Sequence, residues 1–139
     1  MNQFVLDTNV IISAHLIRFS QSRKAFDMAF EKGLVIYSNE TFEELTLKFV
    51  NPKFDKYISL NARMNAISEF ERRGSLIQVT ENLKVCRDSK DDKFISLAVT
   101  AGANCIISGD SDLLFLHPFR GISIITPSAF INEIERFSE

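Results

Sequence analysis

The sequence predicts an α/β protein: a three-layer α/β/α sandwich with a central, mainly parallel sheet. Three observations carry this expectation. Five short, β-rich apolar runs alternate with longer segments whose apolar residues recur at helical spacing. The runs lack the in-out alternation of a half-exposed sheet, so helices are expected to cover both faces. At 139 residues and 45% hydrophobic, the chain fits one domain with its own core.

The expected strands are residues 4–6, 34–37, 76–79, 105–107 and 122–125, and the expected helices are 9–18, 22–31, 39–50, 56–73, 89–101 and 128–137. Pro52, Pro118 and Pro127 read as loop or helix-start positions, and no repeat, low-complexity tract or linker divides residues 1–139. No apolar run approaches the roughly 18 residues needed to span a bilayer, and the start MNQFVLDTNV lacks the features of a signal peptide, so a cytoplasmic protein without a membrane partner is expected. Cys86 and Cys105 lie in apolar contexts without a C-x-x-C spacing and are expected to be buried free thiols.

Sixteen Lys and Arg against eighteen Asp and Glu give a net charge of -2. This balance argues against binding of nucleic acid by bulk positive charge, and a polyanion would have to be met locally.

The acids are placed unevenly. Asp7 directly follows the first apolar run in FVLDTNV, and Asp110 and Asp112 follow the fourth in CIISGDSDLL. If those strands are parallel, acids far apart in sequence converge at one edge of the sheet, where ligands bind in open α/β folds. A third group, Asp88, Asp91 and Asp92 in RDSKDDKFISLA, surrounds the start of a helix with the apolar stripe Phe94, Ile95, Leu97, Ala98 and Ala101. At about 100° per residue Asp91 falls within roughly 30° of the centre of that stripe, whereas Asp92 lies well over 100° away. Asp91 is therefore expected to point toward the sheet, while capping or solvation accounts for Asp92 and, equally, for Asp88.

Two like charges about 4 Å apart repel by about 4 kcal/mol at an effective dielectric near 20, so clustered acids call for a cation. An all-oxygen donor set selects hard ions such as Mg²⁺ or Mn²⁺, which share their coordination with substrate phosphates. The chemistry this implies is phosphodiester hydrolysis.

These residues resemble the PIN-domain family, and within it the small prokaryotic VapC-like ribonucleases that act as toxins of toxin-antitoxin systems. The matching pieces are LDTNV at residues 6–10, the Glu44-Leu45 pair, CRDSKDDKFISLA at 86–98, SGDSDLL at 108–114 and the ending GISIITPSAFI. The resemblance covers nearly the whole chain and rests on the order and spacing of these pieces together. It implies a PIN-like three-layer fold, cleavage of RNA with Mg²⁺ or Mn²⁺, a homodimer and an antitoxin partner. By motif it implies catalytic roles for Asp7, Glu44, Asp91 and Asp110, metal binding by Asp7, Asp91, Asp110 and Asp112, and supporting roles for Thr8, Asn9, Ser108 and Asp88. The stripe Phe42, Leu45 and Phe49 does not itself favour Glu44 over Glu43, so that choice rests on the Glu-Leu pair.

His15 in an apolar helical segment is expected to pack, and His117 before Pro118 to sit in a solvated loop, which speaks against metal-free cleavage by a histidine pair. Arg18, Arg23, Lys24, Lys48, Lys53, Arg87, Lys90 and Lys93 are the basic residues available to meet a substrate. Two rival readings remain at this point. One is a non-catalytic RNA- or antitoxin-binding module. The other is a phosphatase of the haloacid dehalogenase type, which needs a D-x-D pair where this chain has Asn9.

Overall fold

The structure, a computed structural model, describes residues 1–137. Five strands, Asn2–Leu6 (β1), Gly33–Tyr37 (β2), Ser75–Leu76 (β3), Cys105–Ile107 (β4) and Ser123–Ile125 (β5), form one all-parallel sheet in the order β3-β2-β1-β4-β5. Among the described residues seven α-helices connect or follow them: Thr8–Leu16 (α1), Gln21–Lys32 (α2), Asn39–Phe49 (α3), Leu60–Arg73 (α4), Asp92–Ala101 (α5), Ser111–Leu114 (α6) and Pro127–Asn132 (α7).

Successive side chains of a strand point to opposite faces, and here each face has its own core. Phe4, Leu6, Val35, Tyr37, Cys105 and Ile107 pack against Val10 and Ile11 of α1, Phe26 of α2, Leu45 of α3, Phe70 of α4 and Phe130 of α7. On the other face Val5, Ile36, Ile106 and Ile124 pack against Phe94, Ile95, Leu97 and Ala98 of α5 and Leu113 of α6. The result is the three-layer α/β/α sandwich with a parallel sheet. At Gly33 a Cβ would lie 2.4 Å from the Asn2 carbonyl oxygen, so only glycine lets β2 start this close to β1.

Helix starts follow capping chemistry. The side chains of Ser20, Ser38, Ser59 and Thr126 accept backbone N–H groups in the first turns of α2, α3, α4 and α7, and Pro127 occupies the first turn of α7. The cap at Ser59 also explains why α4 starts later than residue 56: the chain before it forms a separate 3-10 turn at Pro52–Phe54. A fully buried Arg63 fixes this corner by donating to the carbonyls of Phe49, Asn51 and Ile58 at 2.7, 3.0 and 3.1 Å and pairing with Asp55.

Three other expectations change. The third strand is Ser75–Leu76 rather than 76–79, because the following segment bonds to α5: the N–H groups of Thr80 and Glu81 donate to Thr100 Oγ1, and that of Leu83 to Ser96 Oγ. The helix expected at 89–101 is a 3-10 turn, Ser89–Asp91, followed by α5. The last helix ends at Asn132 and gives way to a 3-10 turn, Ile134–Phe137.

Candidate active site

The strand order changes direction at β1, which has β2 on one side and β4 on the other. The crevice beyond the carboxyl ends of β1 and β4 is thus the topological switch point. Asp7 stands there. Its N–H donates to the Ile107 carbonyl at 3.0 Å, and its own carbonyl accepts from Val10 and Ile11 to start α1. Its carboxylate makes no capping bond and is buried. Ser108, fully buried one residue past β4, donates its hydroxyl to Asp7 Oδ2 at 2.6 Å and accepts from the Asp110 N–H at 2.9 Å. One serine thus holds the first and last acids in register. Asp110 then accepts the Asp112 N–H at 2.8 Å and opens α6.

Asp91 joins this pair from the start of α5. It is 7% exposed, and its Oδ2 is the one buried side-chain oxygen or nitrogen without a hydrogen-bond partner among the described residues. Burial pushes its carboxyl up to about 7, and a hydrogen bond with Asp110 plus the charges of Asp110, Asp7 and Asp88 push the same way. Burial likewise raises Asp7, helped by the Asp110 and Glu44 charges and opposed by the Ser108 hydroxyl. Carboxylate oxygens of Asp88, Asp91 and Asp112 lie within 4.8 Å of one another. Asp91 links this group to Asp110, through a hydrogen bond, and to Asp7, through its charge.

Glu44 reaches the cluster from α3. Its carboxylate is 3.5 Å from Lys48 Nζ and 2.5 Å from Lys93 Nζ. Burial raises its pKa, but hydrogen bonds from Lys93 and the buried Thr8 and the two lysine charges outweigh it, leaving Glu44 below its ordinary value. Glu43 is exposed and makes no such contact, so the structure separates two residues the helical stripe left equivalent.

Of the remaining residues singled out in the sequence, Asn9 lies exposed on the first turn of α1 beside Asp7. Asp88 is exposed and accepts the Lys90 N–H at 3.0 Å. Asp92 does more than cap: its Oδ1 accepts the N–H groups of Val85 and Cys86 and ties the incoming segment to α5. Arg87 lies 3.5 Å from Asp112. With Lys48 and Lys93 on Glu44, three of the basic residues thus touch acids of the site. Arg23 instead pairs with Asp27, and Arg18 lies past the far end of α1. His15 packs edge-on against Phe26 with Nδ1 2.8 Å from the Ile11 carbonyl. His117, expected to be merely solvated, is exposed but accepts the Ile124 N–H on Nδ1 at 2.9 Å, so its ring pins the loop to β5. Cys86 is half-buried and Cys105 buried, both free, with burial pushing each thiol up to about 12.

An all-oxygen donor set in which one buried carboxylate oxygen accepts no hydrogen bond, and in which two acids are held above their ordinary values by burial and by the charges of neighbouring carboxylates, is suited to a hard divalent cation. This is a parallel α/β fold with an acidic cluster at its switch point. Residues 3–112 match the family model described as PIN domain, and the chain belongs to that family. It is 34% identical to the uncharacterised protein MJ1680 of Methanocaldococcus jannaschii, over 96% of this chain and 92% of that one. Among solved structures it resembles PAE2754 from Pyrobaculum aerophilum, with a TM-score of 0.64 and 11% identity over 97% of this chain and 90% of that one. It also resembles VapBC2 from Rickettsia felis bound to a DNA fragment from their promoter, with a TM-score of 0.61 and 12% identity over 88% of this chain and 96% of that one. At those identities the structural likeness concerns the fold. No helix among the described residues is long and apolar enough to cross a membrane.

Proposed function

We propose that this chain is a Mg²⁺- or Mn²⁺-dependent endoribonuclease and the toxin of a toxin-antitoxin pair. The observation that carries the reading is the buried Asp91 carboxylate beside the switch point of the sheet, with one oxygen that accepts no hydrogen bond and with oxygens of Asp88 and Asp112 within 4.8 Å. The toxin assignment is supported by the family and by the likeness to VapBC2. Asp7, Asp91, Asp110 and Asp112 are the residues that would hold the cation. Bound there, it would supply Lewis-acid polarisation of the phosphate and neutralise the acids.

The chain's own groups do the rest. Ser108 fixes the Asp7 carboxylate by its hydroxyl and the Asp110 backbone by accepting its N–H, so the two acids cannot drift apart. Lys93 and Lys48 keep Glu44 ionised beside Asp7, where it accepts a hydrogen bond from the attacking water and orients it. Arg87, 90% exposed in its side chain, and the exposed Lys90 rim the acids and meet the phosphates on either side of the scissile one.

The test is cleavage of a single-stranded RNA by wild type and Asp7→Asn in Mn²⁺ and in chelator. Cleavage by wild type in Mn²⁺ alone, with Asp7→Asn folded but at least about 100-fold slower, is the expected result. Cleavage that survives chelator, or an Asp7→Asn rate equal to wild type, overturns the reading. A protein that binds RNA equally well as wild type or Asp7→Asn and cleaves with neither is the non-catalytic module.

A further inference from the structure

Beside the acids lies a hollow of about 440 Å³ that the proposed chemistry does not use, with Val85, Cys86, Arg87, Asp112, Phe115 and Leu116 in its wall. Two of these residues connect it to the cluster. Asp112 contributes an oxygen to the Asp88, Asp91 and Asp112 group, and Arg87 reaches Asp112 at 3.5 Å. Asp112 and Phe115 are three residues apart on and just after the single turn of α6, so both project from one side of it. Phe115 is 87% exposed, although Leu113 two residues earlier is fully buried. An occupant of the hollow that covers this ring would gain roughly 1.5 kcal/mol or more from its burial.

We propose, building on the ribonuclease reading, that this hollow is a nucleobase subsite. The base of a nucleotide next to the scissile phosphate stacks on the Phe115 ring against the apolar wall of Val85 and Leu116, and Arg87 meets the adjoining phosphate. Single-stranded RNA is recognised in this way, by unstacked bases on aromatic faces with an arginine beside them. The occupant follows from continuity with the acids: a ligand whose phosphate lies at Asp112 has its base within reach of a ring on the same helical turn. A flat base also suits a hollow with one aromatic side and one aliphatic side. The subsite implies a requirement for single strands, since a base held in a duplex is not free to enter.

The sequence contains no Trp, so Phe115→Trp places a sole indole in the hollow while keeping an aromatic face. Because Phe115 is so exposed, neither this change nor Phe115→Ala should disturb folding. Base stacking on an aromatic side chain corresponds to about 5- to 150-fold in affinity. In Mn²⁺, Phe115→Ala is expected to raise the KM for a ten-nucleotide single strand about tenfold or more, and Phe115→Trp to keep it near wild type. With a strand carrying abasic residues beside the cleaved bond, the difference between wild type and Phe115→Ala should vanish. In Mn²⁺, a strand whose scissile phosphodiester is replaced by a non-hydrolysable linkage should quench the indole fluorescence of Phe115→Trp, and its abasic counterpart should not. A wild type that cleaves RNA while Phe115→Ala keeps its KM, or quenching equal for both strands, overturns the subsite and leaves the ribonuclease reading intact. A wild type that cleaves no RNA overturns both.

Discussion

Replacing Asp91 by Asn separates an acid held for a ligand from an acid that builds the fold. Its carboxylate lies within 4.8 Å of oxygens of Asp88 and Asp112, and one of its own oxygens accepts no hydrogen bond. At an effective dielectric near 20, each like-charge pair at that distance costs about 3.5 kcal/mol. Asp88 is exposed and Asp112 half-buried, so screening and solvent reduce the net repulsion to about 1–2 kcal/mol. Asparagine removes this charge and adds an N–H that the neighbouring carboxylates can accept. Metal-free Asp91→Asn should therefore melt about 3–8 °C above wild type at pH 8.

The pH dependence follows from the sign of the shift. The folded value, about 7, is raised above the ordinary 3.8, so the folded state binds more protons, and wild type loses stability as pH rises between about 4 and 7. The variant lacks this loss, so the two melting curves should coincide near pH 4 and separate by pH 7.5. Thermal melts in chelator across that range provide the assay. A variant less stable than wild type at pH 8, or an offset independent of pH, would refute the reasoning.

Two further substitutions probe the scaffold and the other flank of the site. Arg63→Leu leaves the carbonyls of Phe49, Asn51 and Ile58 without their buried donor and should cost about 3–5 kcal/mol in urea unfolding, while a loss under about 1 kcal/mol would contradict the role given to this corner. Lys93→Met removes the closer partner of Glu44. Because the Glu44 value is lowered, its stabilisation is present above its ordinary 4.5 and is lost as pH falls through the folded value. The variant should therefore lose about 1 kcal/mol at pH 7 and converge with wild type in acid, and denaturation at both pH values checks this.

Much of this arrangement is legible in the amino-acid sequence. The apolar runs around Phe4, Val35, Ile106 and Ile124 marked the buried strands, and parallel pairing then brought Asp7 and Asp110 to one edge. The helical period placed Asp91 inward and Asp92 away from the sheet. What stayed hidden depends on tertiary partners. Glu43 and Glu44 flank the same stripe, and they are distinguished by tertiary partners that only Glu44 has, Lys93 on another helix and the buried Thr8. Arg63 looks like any arginine on a polar helix face until three carbonyls converge on it. The turn of α6 is too short to leave a periodic signal, and the third strand ended early because side chains of α5 took over its hydrogen bonds.

The central claim is that acids from separate segments of the chain form one divalent-cation site. Calorimetric titration of Mn²⁺ into wild type, Asp7→Asn, Asp110→Asn and Asp27→Asn tests it most directly, since Asp27 lies away from the cluster and pairs with Arg23. The account predicts saturable Mn²⁺ binding by wild type, the same affinity in Asp27→Asn, and at least about tenfold weaker binding in both Asp7→Asn and Asp110→Asn. No binding by wild type, or one affinity shared by all four proteins, would contradict it.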